Sequence, residues 1–249
     1  MMKTDVMGLM IDDATKSEAL DSAEKYLCGD GRAALVFTPN AEIAYACAAD
    51  EKMLSLVNSA EIVLPDGEGV LKAAKMLGTP LKEKVAGVEF GYSLAGMCGQ
   101  YGKSLFILGG KPGVAEKAAG YLMSEFDGLT VSGTHDGYFE KTGEESDRVI
   151  ERINASGAEV LFVCLGFPAQ EKWAAENRDK LTAAKLVACL GGSVDVYAGT
   201  VKRAPKLFVS LKLEWLYRLV KQPRRLGRML VIPKYLRMVK KYRKSRDRL

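Results

Sequence analysis

The chain has 249 residues, of which 48% are hydrophobic and 27% are charged. This composition is typical of a globular protein, and the length allows one sizeable core, alone or with an appendage. The start of the sequence has no basic flank followed by an apolar run, and no segment reaches the roughly 18 consecutive apolar residues that a membrane span needs, so we expect neither a signal peptide nor a transmembrane helix.

Charge is distributed unevenly along the chain. Residues 1–200 contain 19 Lys/Arg and 29 Asp/Glu, a net charge of −10, whereas residues 201–249 contain 17 Lys/Arg and 2 Asp/Glu, a net charge of +15. Such an asymmetry predicts a globular body over 1–200 and a basic appendage over 201–249 that meets an anionic partner.

The cysteines indicate the redox compartment. Their number is odd, they show no CxxC spacing, and most lie in apolar surroundings. We therefore expect reduced, structural thiols in a cytoplasmic protein. They are Cys28, Cys47, Cys98, Cys164 and Cys189.

Short apolar segments alternate with helical patterns along the first 200 residues, with Asp12 or Asp13 as the expected cap of the first helix. This alternation predicts an α/β protein with a Rossmann-like parallel sheet and helices on both faces. The predicted strands cover residues 6–11, 33–37, 60–64, 104–108, 129–133, 160–165 and 185–190. The predicted helices run from the Asp12 or Asp13 cap to about residue 28, from after Asn40 on through 50–57, over 70–77, from about 89 to 100, from after Gly113 to 126, over 144–156, and from within 166–172 onward.

Polar or glycine-rich residues follow most of these strands. Because parallel strands end at the same edge of a sheet, such residues can converge on one cleft. The groups concerned are Thr38 with Asn40, Asp66, Gly109 with Gly110, Gly166 with Gln170, and Gly191 with Gly192.

The segment 64–70 is the centre of this pattern. It follows an apolar run and opens a helix near Val70, and Gly67 and Gly69 allow a tight turn and close approach of a ligand. Asp66 would then lie at a strand end near a helix N-terminus, where a carboxylate can act as a general base. The alternative is that Asp66 only caps the helix that follows.

The basic appendage predicts two or three helices broken at Pro223 and Pro233. Apolar residues are intermixed with the basic ones, which favours an amphipathic segment on an anionic bilayer. Nucleic-acid binding is the alternative, because basic patches bind phosphates and aromatic residues stack on bases. We favour the membrane and expect no nucleic acid. The aromatic residues are Trp215, Tyr217, Tyr235 and Tyr242.

A series of motifs in a fixed order covers nearly the whole chain. They are Thr38-Pro39-Asn40, Leu64-Pro65-Asp66-Gly67, Leu108-Gly109-Gly110-Lys111-Pro112-Gly113, Gly133-Thr134-His135-Asp136-Gly137-Tyr138-Phe139, Leu165-Gly166-Phe167-Pro168-Ala169-Gln170-Glu171, Gly191-Gly192-Ser193-Val194-Asp195, Val201-Lys202-Arg203-Ala204-Pro205 and Leu213-Glu214-Trp215-Leu216-Tyr217-Arg218-Leu219. Together they resemble the WecG/TagA/CpsF glycosyltransferases, glycosyltransferase family 26.

This resemblance implies a hexosyltransferase of the GT-E fold, a Rossmann-like body with a membrane-targeting appendage. It implies transfer of a sugar, first of all N-acetylmannosamine, from a UDP-sugar to GlcNAc on undecaprenyl diphosphate at the inner face of the cytoplasmic membrane, as in teichoic acid synthesis. Uronic acid or glucose-type donors are the alternative within the family. The implied reaction is a metal-independent, inverting displacement that uses no cofactor.

The resemblance also implies roles for individual residues. Asp66 would be the catalytic base, and Thr38, Asn40 and Lys84 would line the acceptor side. The nucleotide-sugar side would comprise Gly109, Gly110, Tyr138, Gly166, Gln170, Gly191, Gly192 and Asp195. In the appendage, Arg218, Arg225 and Arg228 would bind the diphosphate, because forked guanidinium groups suit its oxygens. Simple contact with lipid headgroups is the alternative for these arginines.

Three other interpretations remain open from the sequence. Asp66 and Glu68 faintly resemble a DxD metal site, although no histidine cluster can exist because His135 is the only histidine. A Rossmann-type NAD-dependent oxidoreductase is a further alternative, but no GxGxxG follows the first strand. The third concerns the oligomeric state: a homo-oligomer is one possibility, and the sequence does not distinguish it from a monomer.

Overall fold

The computed structural model describes residues 1–201 and 226–246, with the side chains of the second range described from residue 230. The first element is an antiparallel hairpin of strands β1 (Lys3–Val6) and β2 (Leu9–Asp12). The expected single strand over 6–11 is therefore wrong. Met7 and Gly8 both have positive φ, 59° and 85°, as a tight hairpin turn requires. The apolar pattern continues across this turn and hides it in the sequence.

The core of the molecule is a six-stranded sheet in which every pairing is parallel. Its spatial order is β4-β3-β8-β7-β5-β6. The predicted parallel α/β sheet is thus confirmed. The strands are β3 (Ala34–Phe37), β4 (Ile62–Val63), β5 (Ser104–Gly109), β6 (Thr130–His135), β7 (Val160–Cys164) and β8 (Leu186–Cys189).

Helices cover both faces of this sheet. Successive residues of β5 point into different hydrophobic clusters, Leu105 and Ile107 into one and Phe106 and Leu108 into the other, as the pleat of a doubly covered strand requires. Of the described helices, four contribute to the Leu105 cluster: α1 (Lys16–Leu27), α5 (Gly87–Tyr101), α6 (Val114–Glu125) and α9 (Ser193–Tyr197). Six contribute to the other: α2 (Ala41–Ala49), α3 (Glu51–Asn58), α4 (Glu68–Met76), α7 (Gly143–Ala155), α8 (Ala169–Asn177) and α10 (Leu226–Arg246).

The first helix, α1, is not capped as expected. Its N-cap is Thr15, which forms a reciprocal capping box with Glu18. Asp12 instead accepts a hydrogen bond from the Val63 N–H at 2.7 Å, and Asp13 accepts one from the Lys82 N–H at 2.7 Å. The expectation that Asp12 or Asp13 caps this helix is wrong, because both carboxylates bind the backbone of distant segments.

Helix α10 runs through Pro233 without a break, so the expected break at this residue is wrong. Pro223 lies outside the described residues. The reason for the continuity is tertiary: Tyr235 and Val239 are fully buried, and α10 packs against α2 and α4. Packing of this kind outweighs the poor helix propensity of proline. The division into a body over 1–200 and an appendage over 201–249 stays a prediction.

Two further expectations concern the whole chain. All five cysteines are free thiols, and four of them are buried, which agrees with structural roles. Over residues 1–201 and 226–246, no helix combines the length and the apolar character that crossing a bilayer demands.

Candidate active site

The carboxyl ends of the six parallel strands form one edge of the sheet. Along this edge the segments that follow the strands lie in the order Asp66, Thr38 to Asn40, Gly191, Gly166, Gly110 and Asp136. Neighbouring strands are about 4.8 Å apart, so the two outer strands, β4 and β6, are separated by roughly 24 Å. The structure therefore places the predicted site residues along one edge, with Asp66 at its β4 end, while the segment before Tyr138 turns back onto the end of β5.

Among the described residues, three hydrogen bonds hold the Asp66 turn. The Asp66 N–H donates to the Pro39 carbonyl at 3.0 Å, and the Val85 N–H donates to the Pro65 carbonyl at 2.9 Å. The Gly87 N–H donates to Asp66 Oδ2 at 3.4 Å. Gly87 is the first residue of α5, so the half-buried Asp66 carboxylate faces the positive end of a helix dipole.

Gly67 explains why the chain can turn at this point. Its φ of 97° and ψ of 153° lie in a region that is essentially restricted to glycine. Gly67 also occupies the N-cap position of α4, which begins at Glu68 rather than near Val70. The alternative that Asp66 is the cap of that helix is therefore wrong. Asp66 precedes the N-cap residue by one position, and its carboxylate lies at the sheet edge.

The two predicted acceptor-side residues after β3 lie beside Asp66. Thr38 is 8% exposed, and its hydroxyl donates to the Cys189 carbonyl at 3.3 Å, which joins the ends of β3 and β8. Asn40 is the N-cap of α2, and its Oδ1 accepts from the Glu42 and Ile43 N–H groups. Because these bonds use only Oδ1, the Nδ2 group is the part of Asn40 that suits a ligand.

Gly87 brings Thr38 and Asp66 together. A Cβ atom at Gly87 would lie 3.0 Å from Thr38 Oγ1, and the Gly87 N–H binds the Asp66 carboxylate. Lys84, the third predicted acceptor-side residue, is half-buried in the loop just before this helix. The structure thus places the predicted base and the predicted acceptor residues around the ends of β3 and β4.

The predicted nucleotide-side glycines lie at the other end of the edge. Gly109 has a φ of 135°, and a Cβ there would come within 2.3 Å of the Cys164 carbonyl oxygen, so β5 can approach β7 only with glycine. The Gly137 N–H donates to the Gly110 carbonyl at 2.8 Å. Tyr138 follows and is 68% exposed, which leaves its ring accessible for stacking on a base.

Gln170 and Gly191 lie between the two ends. The Gln170 Oε1 accepts from the Gly166 N–H at 3.2 Å and from the Gly191 N–H at 2.9 Å, so one amide joins the loops after β7 and β8. Gln170 is only 4% exposed. Its amide therefore connects these two loops, and direct contact of Gln170 with the nucleotide-sugar stays a prediction.

The remaining predicted residue pair follows β8. Gly192 is the exposed N-cap of the short helix α9. Asp195 lies within α9, and the Thr200 hydroxyl donates to its Oδ1 at 3.3 Å. Both residues belong to the same loop and helix as Gly191, near the centre of the edge.

Sequence reasoning missed Glu171. Its side chain is 0% exposed, and its Oε1 accepts from Gln170 Nε2 at 2.9 Å. Burial raises the pKa of Glu171 to about 7, against the lowering effect of the bond from Gln170. The spacing of Gln170, Trp173, Ala174 and Asn177 is that of an inward helix face, and it could have indicated that polar side chains here point into the protein.

His135 and the acidic residues give little support to a metal site. His135 Nδ1 lies 2.7 Å from the Asp136 carbonyl, and its ring packs edge-on against Phe139. Over the ranges 1–201 and 226–246, no three His, Cys, Asp or Glu side chains are grouped so that they could hold a metal ion. The DxD interpretation of Asp66 and Glu68 gains no further ligand from these ranges.

The predicted diphosphate-binding arginines all belong to the basic appendage. Arg218 and Arg225 lie outside the described residues, and Arg228 lies in α10 without a described side chain. The course of α10 is nevertheless informative. A Cβ at Gly69 would lie 3.8 Å from Ile232 Cγ2, so the first turns of α10 pass beside the start of α4 and the Asp66 turn.

Comparison with known proteins assigns the family. The sequence model of the glycosyl transferase WecG/TagA/CpsF family matches residues 4–249. A protein of Bacillus spizizenii is 34% identical over 94% of this chain and 89% of its own length. A Bacillus subtilis protein is 34% identical over 91% and 87%, and a Staphylococcus aureus protein is 29% identical over 98% and 94%.

All three relatives are named N-acetylglucosaminyldiphosphoundecaprenol N-acetyl-beta-D-mannosaminyltransferase. The match spans the six-stranded sheet, the polar edge and helix α10 together. It favours glycosyl transfer over the oxidoreductase and nucleic-acid alternatives. The chain belongs to the WecG/TagA/CpsF family of glycosyl transferases.

Proposed function

We propose that this protein transfers N-acetylmannosamine from UDP-N-acetylmannosamine to GlcNAc on undecaprenyl diphosphate. The names of the relatives support N-acetylmannosamine as the sugar and lipid-linked GlcNAc as the acceptor. The similarity covers nearly the whole chain, which supports the same activity for this protein. The product would be the linkage disaccharide to which a teichoic acid or another surface polysaccharide is attached.

The observation that carries the mechanism is the position of the Asp66 carboxylate. In an inverting single displacement, an acceptor hydroxyl oxygen bonds to the anomeric carbon while the bond from that carbon to the UDP oxygen breaks. Asp66 would take the hydroxyl proton as general base. It lies at the sheet edge beside Thr38 and Asn40, and the Gly87 N–H fixes its orientation.

The leaving UDP carries negative charge that must be stabilised. Arg218, Arg225 and Arg228 are our candidates, since guanidinium groups bind diphosphate oxygens without a metal. The passage of α10 beside the start of α4 supports this role for its N-terminal end. On the nucleotide side, Tyr138 and the glycine loops around Gly109 and Gly191 would hold the uridine.

We propose that the protein acts at the inner face of the cytoplasmic membrane as a peripheral protein. Its acceptor is a lipid, and α10 presents basic side chains on its exposed side, which suit anionic headgroups. Those exposed residues are Lys234, Arg237, Lys240, Lys241, Arg243, Lys244 and Arg246.

The test is turnover of purified full-length protein with a panel of UDP-sugars and a lipid-diphosphate-GlcNAc analogue, in the presence of EDTA. We expect UDP release with UDP-N-acetylmannosamine that depends on the acceptor. UDP release only with a uronic acid or glucose-type donor would change the assigned donor sugar but not the family. Absence of release until Mg²⁺ or Mn²⁺ is added would overturn the metal-independent mechanism.

A further inference from the structure

The end of β7 and the end of β8 are joined by a buried pair of side chains, Gln170 and Glu171. Gln170 Oε1 accepts the Gly166 N–H and the Gly191 N–H, and Gln170 Nε2 donates to Glu171 Oε1. The amide thus has two donors on one side and an acid on the other.

These partners allow only one orientation of the Gln170 amide. Backbone N–H groups can only donate, so the amide oxygen must face them, and the Nε2 group must then face Glu171. A carboxylate and the carbonyl oxygen of a neutral carboxylic acid can both accept that bond, so the arrangement holds in either protonation state of Glu171. With both residues buried, water cannot replace a lost partner.

Burial of the Glu171 carboxyl group destabilises the folded protein, and its packing does not offset this loss of stability. Its Oε2 has no hydrogen-bond partner within the described part of the chain, although the side chain is 0% exposed. A buried acid with one unpartnered oxygen destabilises a protein, and an apolar side chain of the same length fits such a site at least as well. The bond to Gln170 is the feature that an apolar replacement would lose.

We infer that Glu171 is a positioning residue: it holds the Gln170 amide so that the loops after β7 and β8, which carry Gly166 and Gly191, keep the shape that binds the nucleotide-sugar. This inference rests on the proposed function for its ligand. In this role Glu171 does not contact the substrate; it keeps the backbone of the nucleotide side in place through Gln170.

The test compares three substitutions of Glu171 in the full-length protein. Glu171→Met removes the acceptor and keeps the length, Glu171→Asp keeps the acid but shortens its reach, and Glu171→Gln keeps an oxygen that can turn toward Gln170 Nε2. Glu176→Met is the matched control, since Glu176 is exposed on the same helix.

We expect Glu171→Met and Glu171→Asp to raise KM for the UDP-sugar about tenfold or more, with kcat changed less than threefold. Glu171→Gln should stay within about threefold of the parent KM, and so should the control. Amide hydrogen exchange should rise about tenfold for Gly166 and Gly191 in the Met and Asp variants alone, measured without any ligand.

An unchanged KM and unchanged exchange in Glu171→Met would overturn the inference, and so would an equal loss in Glu171→Gln. If Glu171→Met does not fold, the comparison of Glu171→Asp with Glu171→Gln decides in the same way. The exchange measurement needs no turnover. A protein that turns over no UDP-sugar would therefore refute the proposed function, while loop exchange would still decide the role of Glu171.

Discussion

At the scale of single residues, the backbone around Asp66 determines what its carboxylate can do. Gly67 takes a conformation restricted to glycine, and the Gly87 N–H at the start of α5 binds Asp66 Oδ2. A carboxylate held by backbone groups needs little reorganisation to accept a proton, which is what a general base requires.

The first prediction is that Asp66→Asn lowers kcat by about 10²–10⁴-fold, the usual contribution of a general base. The amide keeps the size of the side chain but cannot take a proton. UDP affinity by calorimetry and the melting temperature should change little. Glu68→Gln is the control and should retain activity. If Asp66→Asn keeps most of the activity, Asp66 is not the catalytic base.

The second prediction concerns Glu171 and pH. Burial raises the pKa of this carboxyl to about 7 in the folded protein, against an ordinary value of 4.5, and the nearby Glu42 acts in the same direction. The unfolded chain therefore loses this proton first. The contribution of Glu171 to stability is full below about pH 4.5 and declines as pH rises through about 7.

Glu171→Gln removes the titrating carboxyl group, so the free energy of unfolding of this variant should decline less as pH rises. We expect the free energy of unfolding of the parent, relative to Glu171→Gln, to fall by roughly 1–3 kcal/mol between pH 5 and pH 8. Urea denaturation at several pH values measures it. The thiols of Cys47 and Cys189, whose pKa values burial raises, stay neutral over this range. A difference between the parent and Glu171→Gln that does not vary with pH would contradict the raised pKa of Glu171.

At the scale of elements, the docking of α10 is the decisive feature. Tyr235 and Val239 reach the hydrophobic cluster that α2 and α4 also form, and Arg246 donates to the Leu77 carbonyl at 2.9 Å. Tyr235 is fully buried, so its ring is not available to stack on a nucleic-acid base, a contact that the alternative interpretation allowed for this residue. The described part of the appendage is packed against the body.

The third prediction separates the ring of Tyr235 from its hydroxyl. Tyr235→Ala should lower the free energy of unfolding by about 3–5 kcal/mol, because it leaves a large cavity. Tyr235→Phe should be neutral or stabilising by up to about 1 kcal/mol, since no partner for the buried hydroxyl exists among the described residues. Denaturant melts of both variants provide the measurement. Equal losses in the two variants would show that the hydroxyl has a partner.

At the scale of the whole molecule, the uneven distribution of charge supports the proposed association with an anionic membrane. The body has a net charge of −10 and the last 49 residues a net charge of +15. Anionic lipid should attract the basic part and repel the body, which orients the sheet edge with respect to the membrane. Attraction of this kind weakens as salt screens the charges.

The fourth prediction is that changing Lys240, Lys241 and Lys244 to Glu lowers binding to vesicles with anionic lipid by about tenfold or more. Each lysine near an anionic surface contributes on the order of 1 kcal/mol. The matched control changes the same net charge on the body, at the exposed Lys25, Lys52 and Lys117. Flotation at low and high salt measures binding. An equal effect of both triple variants would mean that net charge alone matters.

The sequence by itself determined the strand–helix alternation and the strand-end residues. Apolar runs, turn glycines and polar residues after strands are local signals, and parallel topology then forces Asp66, Gly110 and Gly191 to one edge. The motifs in their order were enough to indicate the family. Local signals failed at the Met7-Gly8 turn, where the apolar pattern continues through a change of direction.

Only the tertiary structure decided features that depend on distant partners. Asp12 and Asp13 lost their capping role to the backbone of Val63 and Lys82, and Pro233 lies inside a helix because Tyr235 is anchored in the core. The hydrogen bond from Gln170 to Glu171 joins neighbours in sequence. Its structural effect depends on the Gly166 and Gly191 N–H groups, which the same amide binds. Burial and hydrogen bonding between remote segments are energies of the folded state, and no local pattern encodes which partners meet.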